Sequence, residues 1–147
     1  MRTPQVHLAS ICIVILAFTV MAVANAAPRA ARSLLTVAEV SAIVGAPVIV
    51  LGLGTFEPTK RGDLTFSNCS YRASNNVRRV AKVTLIWGPK AKLTDTYTFY
   101  MKRHKEVPGL RGDVLLLAMV ADIGEIGGAV YDLPASKKLL DAALQKL

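Results

Sequence analysis

Between residues 35 and 47 apolar residues recur at helical spacing. In LLTVAEVSAIVGAPV, Val37, Val40, Ile43 and Val44 form one stripe. Thr36 followed by Glu39 is a capping box: the hydroxyl takes an orphan amide of the first turn and the carboxylate reaches back. Leu35 and Val40 stand where a hydrophobic staple forms, Gly45 can take the left-handed conformation that ends a helix, and Pro47 forbids its continuation. The pattern predicts a helix over 37–44. PVIVLGL, 47–53, is β-branched and apolar and predicts a strand; 54–62, with Pro58 and Gly62, reads as loop. LTFSNCSYRA and RRVAKVTLIW then flank Ser74-Asn75-Asn76, residues suited to a turn. In the second of these segments Ala81, Val83, Leu85 and Trp87 share one face, and Val80, Lys82, Thr84 and Ile86 the other. A β-hairpin over 64–88 follows.

Gly88-Pro89 breaks that strand. Beyond it Leu93, Tyr97, Tyr100, Met101 and His104 fall on one helical side, with Thr94 or Asp95 as a cap and Pro108-Gly109 as the stop. DVLLLAMVA, 113–121, is a continuous apolar run bounded by glycines and predicts a buried strand. AVYDL is a further short strand, and ASKKLLDAALQKL, opened by Pro134, repeats leucine and alanine as a closing amphipathic helix. Strands in succession with short connections predict an α+β fold, an antiparallel sheet of about four to five strands with helices packed on one face.

The first 26 residues stand apart. Arg2 precedes the apolar run Leu8–Val23, and Ala24-Asn25-Ala26 offers the small residues of a cleavage site. The run is shorter than the ~20 residues that span a bilayer. The expectation is a signal peptide over 1–26, cleaved after Ala26, a short linker over 27–33 and a single domain over 34–147. The protein would be secreted or periplasmic and would touch the membrane only through the leader before cleavage. The remaining chain, about 120 residues, can bury one core.

Charge adds a partner class. The net charge is +8 at pH 7, and an exported basic surface faces anionic lipid headgroups, polyanionic envelope sugars or an acidic partner protein. Nucleic acid is not expected after export. The candidate contacts are Arg78, Arg79 and Lys82 on the second hairpin strand, with Lys102, Arg103 and Lys105 near the end of the following helix.

Reactive chemistry is sparse. Cys12 leaves with the leader, so Cys69 has no intramolecular partner; an odd cysteine in an oxidising compartment is buried, paired between chains or free. Cys69 with His104 could form a thiol–imidazole dyad only if the fold brought sulfur and nitrogen into contact. One mature histidine, one thiol and scattered carboxylates form no zinc set, and Asp122 and Glu125 do not make a calcium loop. IGEIGG lacks the lysine and hydroxyl of a phosphate loop. No catalytic residue, metal or cofactor is assigned. Arg61-Gly62-Asp63, a tripeptide some extracellular proteins present to receptors, recurs as Arg111-Gly112-Asp113, each copy directly before an apolar β-rich segment. Both read as turns that feed strands.

Thr36, Glu39, Gly45 and Pro47 in the leading helix, Cys69 and Tyr71 in a Cys-x-Tyr strand, and the glycine-rich VADIGEIGGAVYD together resemble a group of small secreted bacterial envelope proteins of unknown function. Related domains occur as lipoproteins and as extracellular sensor modules of kinases. The resemblance implies a leading helix packed on an antiparallel sheet and offers no catalytic residues. Relatives commonly pair the Cys-x-Tyr cysteine with a later one, which is missing here. The functional expectation is an exported, non-enzymatic binding protein of the bacterial envelope. The rivals are thiol or redox chemistry, or disulfide dimerisation, through Cys69, and a structural subunit of an envelope assembly.

Overall fold

The computed structural model describes residues 30–52 and 58–147. The expected leader, the first linker residues and the end of the expected first strand lie outside the described residues. A 3-10 turn at Ala31–Ser33 leads into α1 (Val37–Val44) and β1 (Val48–Val50). Then come β2 (Thr59–Arg61), β3 (Leu64–Ala73), β4 (Arg79–Trp87) and α2 (Lys90–Met101). The chain closes with β5 (Val107–Arg111), β6 (Val114–Ile123), β7 (Ala129–Tyr131) and α3 (Leu133–Leu144). The fold is α+β with one antiparallel sheet, as its patterns predict. Part of the expected linker is already packed: Ala31 is buried, and its amide donates to Ser67 Oγ at 2.9 Å.

α1 occupies the predicted residues. Thr36 Oγ1 accepts from the Glu39 amide at 3.2 Å, Glu39 Oε2 accepts from the Thr36 amide at 2.8 Å, and Gly45 closes the helix at φ 78°. These reciprocal bonds satisfy orphan amides of the first turn. They also hold the Glu39 carboxyl down, from an ordinary 4.5 to about 2, with the Thr36 amide the largest cause and Lys146 the next.

Among the described residues seven strands form the sheet, yet it is only five strands wide, in the order β1-β3-β4-β6-β5. The long strands β3, β4 and β6 make its centre. Each outer edge is shared end to end by two short strands. β2 and β1 lie against opposite ends of β3, and β5 and β7 against opposite ends of β6. β2 falls in the expected loop over 54–62, and the start of β5 falls where the second helix was expected to end at Pro108-Gly109. Thr59-Lys60-Arg61 is polar and fully on the edge, while Val107-Pro108-Gly109 carries the two residues that usually end strands. Proline is tolerated there because an edge strand leaves one row of amides unpaired. Gly109 serves packing: a Cβ at this position would lie 3.0 Å from methyl carbons of Leu140 and Leu144 on α3.

The repeated Arg-Gly-Asp tripeptides prove to be the same device. Arg61 pairs with Leu64 and Arg111 with Val114, so Gly62-Asp63 and Gly112-Asp113 are the two-residue loops of the β2–β3 and β5–β6 hairpins. Each glycine has φ near +60°, and neither aspartate has positive φ. That combination matches the type II′ turn, whose twist suits hairpin strands and whose first position favours glycine.

The break in the β6 edge is closed by side chains. Val120 faces the gap between β5 and β7. Its amide donates to Ser136 Oγ at 2.8 Å, and its carbonyl accepts from the Asp132 amide at 2.8 Å. Buried backbone groups without a strand partner are thus paired by the start of α3.

One expectation is corrected. α1 and α3 pack on one face, against Cys69, Tyr71, Val83, Leu85, Leu116, Ala118 and Val120. α2 covers the other face, where Leu93 packs with Ile86, Leu115 and Leu117 against Leu64, Phe66, Tyr97 and Tyr100. The apolar run of β6 is the reason. Leu115, Leu116 and Leu117 are all buried although neighbours in a strand point to opposite faces, so both faces need a cover. α2 also begins earlier than expected. Thr94 is internal to it, and its hydroxyl donates back to the Lys90 carbonyl at 3.0 Å instead of capping.

Two glycines separate conformational from steric demand. A Cβ at Gly112 meets nothing within 4 Å, whereas one at Gly88 (φ 155°) would lie 2.6 Å from the Asp63 carbonyl oxygen. Gly112→Ala should cost about 1–2 kcal/mol, the penalty for a positive φ. Gly88→Ala should cost clearly more, measured as the urea midpoint of the protein. The Thr36→Ala substitution should remove about 1 kcal/mol. Because the Glu39 carboxyl is lowered on folding, its contribution is complete above about pH 4.5 and is lost as pH falls toward 2. Glu39→Gln should therefore flatten the stability profile in that window.

Candidate functional site

The six candidate cations divide into two groups of different character. Those on and beside β4 are neutralised within the molecule. Arg79 donates to Asp122 Oδ2 at 2.9 Å and to Asp132 Oδ2 at 2.6 Å. Its side chain is mostly covered, and Asp132 in turn caps α3 by accepting from the Ala135 amide at 3.0 Å. The Asp132 carboxyl is held low, first by the Arg79 guanidinium and then by that amide. Arg78 pairs with Glu125 of the glycine-rich loop, and Lys82 Nζ lies 3.4 Å from Glu106 Oε1. The register accounts for Arg79, since it sits directly opposite Asp122. Arg79 therefore ties β4 to β6 and to α3 and is unavailable as a ligand contact.

Lys102, Arg103 and Lys105 sit on the exposed connection from α2 to β5. The Arg103 guanidinium lies over the Phe99 ring, 4.5 Å from its centroid. Among the described residues no carboxylate forms an ion pair with any of the three. His104, at the middle of this stretch, has φ 54°, a left-handed conformation unusual outside glycine. It reverses the chain between α2 and β5, so His104 lies beyond the helix on which its spacing had placed it.

Beside this turn a groove of about 240 Å³ opens at the break in the β6 edge. Tyr100 and Met101 from the end of α2, His104 and Glu106 from the connection, Val107 and Pro108 of β5, and Leu133 and Lys137 of α3 line it. Met101 and Leu133 are 48% and 45% exposed, large for apolar side chains held in a concave surface. The Tyr100 hydroxyl is pushed up by burial and then by the Glu106 charge, so it stays protonated and able to donate. Sequence patterning missed the groove because its residues come from four elements that meet only through the fold. A second hollow, about 270 Å³, lies between the end of α1, Asn75, Asn76 and Arg79, whose guanidinium is already committed.

Cys69 lies elsewhere. It is 1% exposed in the core beneath α1 and α3, on the face opposite α2. Burial pushes its thiol up, against a weaker opposing effect of its hydrogen bond with Tyr71. Tyr71 is raised as well, first by burial, and its hydroxyl donates to the Leu35 carbonyl at 3.4 Å. A neutral, covered thiol is a poor nucleophile. The fold does not bring Cys69 and His104 together. Among the described residues no three His, Cys, Asp or Glu side chains gather as a metal site, and no helix is long and apolar enough to cross a membrane.

Both Arg-Gly-Asp turns are exposed at one end of the sheet. Their arginines are engaged: Arg111 donates to the Leu144 carbonyl at 2.6 Å, at the end of α3, and Arg61 stands 5.7 Å from the Phe66 ring centroid. Comparison with protein-family models, with characterised proteins and with solved structures returns no match to this chain.

The two groups of cations should behave differently. Arg79→Ala should cost about 2 kcal/mol, as expected for hydrogen bonds between charged groups in a partly covered network. Arg78→Ala should cost less than about 1 kcal/mol, as exposed pairs do. Guanidinium titrations of the two variants measure the difference. A thiol reagent such as 5,5′-dithiobis(2-nitrobenzoate) should leave Cys69 unmodified in the native protein and react fully in denaturant.

Proposed function

We propose that the protein is an exported, non-enzymatic binding protein of the bacterial envelope that meets an anionic partner through the connection between α2 and β5. One observation carries this reading. Among the described residues no carboxylate pairs with Lys102, Arg103 or Lys105 on their exposed turn, and Lys137 adds a fourth cation in the lining of the adjoining groove. Arg78, Arg79 and Lys82, by contrast, spend their charge inside the fold, so the contact surface is narrower than the composition implies. The leader over 1–26 and the resemblance to secreted envelope proteins support the location. Burial of Cys69 weighs against a thiol function.

Unpaired surface cations act through screened electrostatics, and the Debye length shrinks from about 10 Å at 0.1 M salt to about 3 Å at 1 M. The mature protein should bind phosphatidylglycerol-containing vesicles in low salt and release them in high salt, followed by co-sedimentation. Each Lys or Arg near an anionic membrane contributes about 1 kcal/mol. Replacing Lys102, Arg103 and Lys105 together by Gln should then weaken binding roughly a hundredfold, while Arg78→Gln should leave it unchanged. Salt-independent binding, or a triple variant equal to the parent, would overturn the reading.

A further inference from the structure

The groove beside the cationic turn has a chemistry that open electrostatic contact does not require. We infer that it receives the hydrocarbon chain of a single-chain anionic amphiphile, of the fatty carboxylate or lysophospholipid type, whose headgroup stays at the cationic lip. This deepens the binding role proposed above and rests on it. Val107 and Pro108 line the groove beside the Tyr100 ring, and the half-exposed Met101 and Leu133 border it from two different helices. Scattered apolar side chains on a surface need no explanation; two that border one concavity with an apolar lining match a hydrocarbon ligand.

Charge sets the sign of the headgroup. The one carboxylate in the lining, Glu106, is paired with Lys82 and largely covered. Lys137 is the lysine in the lining, and Lys102, Arg103 and Lys105 are chain neighbours of the lining residues Met101, His104 and Glu106, which makes the mouth positive. Size sets the number of chains. About 240 Å³ falls below the roughly 300–1,000 Å³ typical of sites for drug-sized ligands, so one chain fits and a two-chain lipid or a fused-ring system does not. Lys137 lines the groove and is exposed, so its aliphatic stem can lie along a chain while its ammonium meets the headgroup in water.

Isothermal titration of the mature protein with octanoate, decanoate and dodecanoate below their micelle concentrations tests the inference. Affinity should rise about fourfold per added methylene, the equivalent of burying each one, and level off once the groove is full. Decyltrimethylammonium should bind at least tenfold more weakly than decanoate. Leu133→Asn and Met101→Asn alter exposed positions without changing the charge, and their folding is checked by circular dichroism. Each should reduce dodecanoate affinity at least tenfold while leaving low-salt vesicle binding within twofold. Dodecanoate against lysophosphatidylglycerol of equal chain length separates free acids from lipid headgroups as the source, and tighter binding of either supports the inference. Affinity independent of chain length, equal binding of the cationic amphiphile, or unaltered binding by both variants would overturn it. So would a concentration-dependent dimer abolished by Leu133→Asn, since the groove would then seat a second copy. If vesicle binding fails while the chain-length series holds, the membrane reading falls and the groove ligand stands.

Discussion

Leucine on both sides of β6 is the constraint from which the remaining architecture follows. Leu115 and Leu117 point one way and Leu116, with Ala118 and Val120, the other, and all five are buried. Burying a leucine fully is worth about 1.5–3 kcal/mol, so leaving either face open would forfeit several kcal/mol, a large part of a typical domain's stability. A single helical layer cannot supply both covers. α1 and α3 close the face that holds Cys69 and Tyr71, and α2 closes the face of Ile86 and Leu117.

Splitting the helices across the two faces determines where the groove opens. The connection out of α2 must cross from one layer back into the sheet at β5, and it does so through a tight reversal at His104. α3 must start where β7 ends, on the opposite layer. The two helix ends meet at the break in the β6 edge, where Ser136 and Asp132 pair the backbone of Val120, and the groove opens beside them. Of its apolar lining, Tyr100 packs on one core and Val107 on the other, whereas Met101 and Leu133 belong to neither and stand half exposed.

Electrostatics is apportioned by the same geometry. Cross-strand register puts Arg79 opposite Asp122, and the α3 cap brings Asp132 to its other side. A guanidinium with two carboxylates holds strands and helix together and offers little to a ligand. The turn at 102–105 is exposed, and among the described residues no carboxylate pairs with its cations, so they face solvent. Cys69 illustrates the complementary outcome: alternation directs its side chain into the core with Tyr71, where desolvation disfavours the thiolate.

Local rules account for what the sequence determined unaided. The limits of α1 follow from Thr36, Glu39 and Gly45, because capping and left-handed closure involve residues three or four apart. The alternation of β4 assigned its two faces correctly, and the repeated Arg-Gly-Asp turns marked the starts of β3 and β6. Edge strands β2 and β5 escaped notice because they are short and carry polar residues, proline or glycine, which an edge tolerates and a periodicity signal does not register. The unbroken leucines of β6 marked a buried strand, yet the helices were expected on one face, because nothing local says which helix takes which face. Which cations remained charged toward solvent, and whether a groove existed at all, were settled only when residues some 30 positions apart, such as Met101 and Leu133, were brought to one surface by long-range strand pairing, whose partners no short window of sequence contains.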